Sequence, residues 1–131
     1  MIKEFIMIRK LIREVKDLEV YCLSYSLALE IFKLSKQFPK KELYSLTDQV
    51  RRSSRSVTAN ISEGFAKRKN GNSFKQYLYS AIGSVEETKT WLDFAKDFNY
   101  IQGDLAVELN EEYSRVVAML FRLIQNWHNI P

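Results

Sequence analysis

Three arginines, Arg51, Arg52 and Arg55, fall within little more than one helical turn, and a second basic run, Lys67, Arg68 and Lys69, follows twelve residues later. Side chains of this kind at this spacing suit one chemistry above others. They can contact successive phosphates, which requires charge and donors but no base-specific geometry. Lys75 extends the set. From Gln49 to Lys75 seven bases meet one acid, Glu63, for a net charge of +6, whereas from Asp104 onward two bases meet four acids. The formal +4 of the whole chain therefore conceals an uneven distribution, with one region that attracts anions. A solvated helix face is the competing reading, and the residues alone leave both open.

Few other reactive groups are available. Cys22 and His128 are single, so a disulfide, a thiolate cluster and most zinc or acid–base arrangements are excluded, and no metal or cofactor is expected. The four glycines form no phosphate-cradling loop. Cys22 reads as a small buried apolar residue and His128 as exposed. A carboxylate-only site on Glu63 and Glu87 stays formally open, although several helical turns would separate the two. The chain is expected not to be an enzyme.

These basic residues must be positioned by helices, because two prolines and four glycines leave little room for β-turns. Residues 1–16 form a basic amphipathic arm, and residues 17–131 form the helical domain. In the first helix, Asp17 to Gln37, Leu18, Tyr21, Tyr25, Ala28 and Phe32 make one apolar stripe beside Leu27, Ile31 and Leu34. Phe38-Pro39 ends it. The second helix starts at a capping box of Ser45 and Asp48 and runs to about Phe65 or Ala66. Its inner face carries Leu46, Val50, Val57, Ile61 and Phe65.

Lys67 to Asn72 is a turn in which Gly71 can take a positive φ, and Ser73 with Gln76 caps the third helix. That helix presents the seam Phe74, Tyr77, Leu78, Ala81, Val85, Thr88, Leu92 and Ala95, flanked by Tyr79, Ile82, Trp91, Phe94 and Phe98. The fourth, from about Asp104 to Trp127, uses Leu109, Tyr113, Val116, Leu120, Ile124 and Trp127. The pattern predicts an all-α, antiparallel up-down-up-down four-helix bundle.

Folding the second and third helices into a hairpin sets Arg52 opposite Glu87, Ser56 opposite Gly83 and Asn60 near Tyr79. Ser53, Ser56, Gly83 and Ser84 then form a small-residue contact. Arg52, Asn60, Glu63, Ser84 and Glu87 form a polar network that fixes register or a subunit contact, a better reading than a ligand site.

The segments DLEVY, FPKKELYSLTDQVRRS, SVTANISEG and YSAIGSVEE, in that order, resemble the family of four helix bundle proteins encoded within 23S ribosomal RNA intervening sequences. The matching positions include Phe38, Pro39, Glu42, Gln49, Arg51, Arg52, Ser56, Asn60, Ile61, Glu63, Gly64, Ala81, Gly83, Ser84 and Glu87. Tyr21 departs from a common tryptophan, Ser62 from an alanine, Arg55 from an apolar residue and Ile82 from an arginine. The resemblance implies a homopentameric ring, similar to the accessory variability protein of diversity-generating retroelements, which binds nucleic acid and partners a reverse transcriptase.

Residues and resemblance together predict a cytoplasmic, homo-oligomeric binder of nucleic acid, RNA first. Arg51, Arg52, Arg55, Lys67, Arg68, Lys69 and Lys75 would contact phosphates. A protein-interaction scaffold, with a partner such as a reverse transcriptase, is the alternative. No membrane association is expected.

Overall fold

The computed structural model describes residues 12–127. Helices α1 (Glu19–Ser35), α2 (Leu46–Ala66), α3 (Gly71–Asp97) and α4 (Gly103–Trp127) carry the fold, with short 3-10 turns at Val15–Asp17 and Lys40–Glu42. The described residues contain no strand. Of the arm expected over 1–16, residues 1–11 lie outside this range, as does His128, while Ile12 and Val15 pack against the core. No helix among the described residues is long and apolar enough to cross a membrane.

The helix ends use different groups from those the sequence suggested. Ser45 Oγ donates to Glu42 Oε1 at 2.6 Å and makes no capping bond to α2, so the expected box with Asp48 does not form. At α3 the cap is Asn70, whose Oδ1 accepts from the backbone N–H groups of Asn72 and Ser73. Gly71 is already helical, with no positive φ. Asn70 reaches these orphan donors from a position ahead of the serine that was expected to do so. Helix α3 closes on Asn99 at φ 64°, with Asn99 N–H on Lys96 O and Tyr100 N–H on Ala95 O, the paired bonds of a Schellman end.

All four helices supply one core: Leu27 and Ile31 from α1, Val57 and Ile61 from α2, Leu78 and Val85 from α3, Tyr113 and Leu120 from α4. The expected inner faces of α2 and α4 are buried, and so is the α3 seam except for half-buried Tyr77. Helix α1 buries only one of its two expected stripes, that of Leu27 and Ile31. Its buried face is Val20, Ser24, Leu27, Ile31 and Ser35, whereas Tyr25, Leu29 and Phe32 are exposed. Ser24 and Ser35 can be buried because each hydroxyl donates to a carbonyl three residues back, Tyr21 O and Phe32 O. Cys22, expected inside, is exposed, its Sγ 3.2 Å from Lys16 O.

Helices α2 and α3 meet through small groups. Ser53 pairs with Thr88 at 2.8 Å and Ser56 with Ser84 at 2.9 Å, partners rising along one helix as they fall along the other. At Gly64 an added Cβ would lie 2.6 Å from Tyr77 Cβ and 3.3 Å from the Phe74 carbonyl oxygen. Gly83, expected in this contact, is exposed and has open space around its missing Cβ. The α1–α2 connection is held to the α3–α4 connection by Tyr100, whose hydroxyl donates to Glu42 Oε2 at 2.8 Å while its ring lies 5.6 Å from that of Phe38.

Gly64→Ala should destabilise the fold by about 1–2 kcal/mol, since overpacking against backbone exceeds the gain in helix propensity. Gly83→Ala should instead stabilise it by about 0.5–1 kcal/mol, and equal urea midpoints for the two variants would contradict the assignment. The Ser45 hydroxyl, then that of Tyr100, hold the Glu42 carboxyl below its ordinary pKa of 4.5. A lowered folded-state pKa stabilises above the ordinary value and stops doing so as pH falls through the folded one. Glu42→Gln should therefore be less stable than wild type at neutral pH, with a gap that closes in acid below pH 4.5. A gap independent of pH in urea titrations would refute this role.

Candidate nucleic-acid interface

Arg51 and Arg55 lie one turn apart on the side of α2 that faces α1 and are held differently from Arg52. Arg51 Nε donates to Ser35 Oγ at 2.8 Å, and its guanidinium carbon sits 4.6 Å from the centroid of the Phe32 ring. Arg55 Nε donates to the Arg51 carbonyl at 3.1 Å. Neither arginine forms a salt bridge among the described residues. Arg52, about 100° further round the helix from Arg51, is 3.8 Å from Asp48 Oδ2, an exposed pair of the kind worth about 0.5 kcal/mol.

The other basic positions cluster at the far end of α2. By helical rise, Arg55 and Lys67 are separated by about 18 Å. Lys67 Nζ donates to Tyr77 Oη at 2.7 Å, and this bond, with the attraction of the same phenol, raises the lysine pKa. The Arg68 guanidinium lies 3.9 Å above the Phe65 ring and donates to Phe65 O. Lys69 is exposed and Lys75 half-buried. The structure thus gathers the seven residues into two groups rather than one continuous strip.

The polar set expected between α2 and α3 divides as well. Asn60 Nδ2 donates to Ser56 O and Ser56 Oγ, and Ser56 Oγ pairs with Ser84 Oγ. Arg52 and Glu87 are not joined. Glu87 Oε2 accepts from Trp91 Nε1 at 3.0 Å, while Arg52 turns to Asp48. Glu63 is exposed. The register explains the difference, because Thr88 rather than Glu87 faces the α2 contact, its one hydroxyl proton shared between Ser53 Oγ and Ser84 O, each 2.8 Å away.

A groove of about 470 Å³ runs between α1 and α2. Tyr21, Tyr25, Leu29 and Phe32 line one side, Arg55 and Ser62 the other, and no carboxylate among the described residues lines it. The apolar stripe on the first helix was legible as a pattern, but reading both stripes of that helix as covered hid this groove. Buried serines on α1 were the missed signal.

The described chain is an all-helical, four-helix protein with a basic face and an aromatic groove beside it. Residues 16–122 match the 23S rRNA-intervening sequence protein family, and the chain belongs to that family. It is similar to a crystal structure, from Bacteroides thetaiotaomicron, of a protein of unknown function from the S23 ribosomal protein family. The TM-score is 0.72 at 24% identity, over 80% of this chain and 97% of that one. That likeness establishes the shared fold. No curated protein matches the chain.

The hydroxyl contact between α2 and α3 allows a double-mutant test. Ser53→Ala and Thr88→Val should each cost about 1 kcal/mol, and the double variant less than their sum, because the same bond is removed in all three. Strict additivity in chemical denaturation would show that the pair is not coupled.

Proposed function

We propose that this protein is a non-enzymatic, homo-oligomeric binder of nucleic acid, with RNA as the ligand. The observation that carries this reading is the state of Arg51 and Arg55. Both are oriented by bonds from Nε, both belong to one helix face, and neither has a carboxylate partner among the described residues. Arginines oriented in this way can present terminal nitrogens to phosphate oxygens at a reduced entropic cost. Lys67, Arg68, Lys69 and Lys75 extend the positive field along α2 and into α3. The family name associates its members with 23S rRNA, which supports RNA over DNA.

The α2–α3 contacts support an antiparallel up-down-up-down bundle. Assembly into a pentameric ring would cover the apolar side chains left exposed on α3, its C-cap and α4, Tyr79, Phe94, Phe98 and Phe121 among them. It would also repeat the basic segment about a symmetry axis and strengthen its field.

Replacing Arg51 and Arg55 together by glutamine should weaken binding to a structured RNA by roughly tenfold or more at low salt. The log–log salt slope should fall by about 0.7–0.9 for each phosphate that is no longer neutralised. Circular dichroism and light scattering should be unchanged. If the double variant keeps wild-type affinity and salt slope while remaining folded, the arginines do not carry the binding.

A further inference from the structure

We infer that the groove between α1 and α2 is a stacking site for unpaired bases of a single-stranded nucleic acid, with Tyr25 and Phe32 as platforms and Arg51 and Arg55 on the flanking phosphates. The inference rests on the nucleic-acid reading above and specifies the form of the ligand. Tyr25 is 51% exposed and Phe32 44%, large rings turned outward because Ser24, Leu27, Ile31 and Ser35 occupy the core side of α1. An exposed aromatic on a helix is unremarkable alone. Here both rings border a concavity, and among the described residues the only charged side chain lining that concavity is Arg55.

The chemistry of the lining selects the occupant. Each nucleotide pairs one flat π-face with one negative charge, and the groove offers aromatic rings beside the Arg55 guanidinium group. Arg51 lies over Phe32 at 4.6 Å and Lys36 Nζ is 5.0 Å from the same ring centroid, so cations and an aromatic ring already meet beside the groove before any ligand arrives. Bases stack on both kinds of plane. Ser62 and Tyr21 at the other end add hydroxyls that can meet a base edge. A volume of about 470 Å³ admits a base with its sugar. A base in a duplex has its faces covered by its neighbours, so the groove selects looped or single-stranded segments. A lining with a guanidinium and no carboxylate among the described residues favours an anionic occupant over a neutral apolar peptide.

The test compares two labelled oligoribonucleotides of equal length and charge, oligouridylate and an abasic ribose-phosphate chain, by fluorescence anisotropy. Tyr25→Leu and Phe32→Leu, made singly, keep the surface apolar but remove the ring. Each should weaken oligouridylate binding between about fivefold and about a hundredfold, the equivalent of one stacked base, and leave the abasic chain and the salt slope unaffected. A 2-aminopurine placed in the oligonucleotide should be quenched by wild type and less so by either variant.

Stacking is overturned if wild type binds both chains equally, or if the leucine variants match wild type on oligouridylate; in both cases phosphate binding by the arginines stands. If wild type binds neither chain nor a structured RNA at low salt, the nucleic-acid reading itself falls. If the variants lose oligomer mass in light scattering yet bind oligouridylate normally, the groove is a contact between copies of this chain and the inference is wrong.

Discussion

The close approach of α2 to α3 is the constraint on which the rest of the structure depends. It is made by hydroxyls and by one glycine rather than by large apolar side chains. Ser53 meets Thr88, Ser56 meets Ser84, and Gly64 leaves no space for a Cβ against Tyr77. The two buried members of this set, Ser53 and Thr88, also reach carbonyls of their own helices, Val50 O and Ser84 O. With two backbones drawn together, Val50, Val57 and Ile61 reach the shared core from a helix that is polar elsewhere. Lining part of the inner surface with small groups leaves the other faces of α2 free to carry arginine.

The same economy operates on α1. Ser24 bonds across to Thr58, and Ser35 accepts from Arg51 Nε, so the two serines that give α1 its orientation also link it to α2. One of those links fixes an arginine. Packing and site geometry are therefore coupled through Ser35: the rotation that buries its hydroxyl is the rotation that turns Phe32 outward beneath Arg51.

Most of the fold was legible in the sequence because apolar spacing reports helix type and length directly. The inner faces of α2, α3 and α4 follow Val57, Val85 and Val116 and their neighbours at helical intervals. Other features were not legible. The exposure of the Tyr25 and Phe32 stripe on α1 escaped because serine counts as polar in any periodicity, although a back-bonded serine is buried at little cost. The start of α3 escaped because Asn70, earlier in the chain than Ser73, competes for the same orphan donors. The register of the α2–α3 hairpin was misread by about one residue, enough to exchange Thr88 for Glu87 and to remove the ion pair expected with Arg52. Successive positions on a helix surface are about 100° apart, so an error of one residue reassigns every polar contact while leaving the apolar seam almost intact.

That sensitivity also governs how the charge is to be counted. A net +6 between Gln49 and Lys75 treats seven bases as equivalent, and the structure shows that they are not. Arg52 has Asp48 beside it, Lys67 is bonded to a phenol, and Arg68 is laid over Phe65 with a bond to its carbonyl. Arg51 and Arg55 are held by bonds from Nε to neutral oxygens, so their positive charge is oriented without being neutralised. An anion approaching the α1 side of α2 therefore meets this oriented charge next to the aromatic groove. Charge and ring face coincide there because Ser35 holds both in place, and a sequence count of basic residues has no means of showing that coincidence.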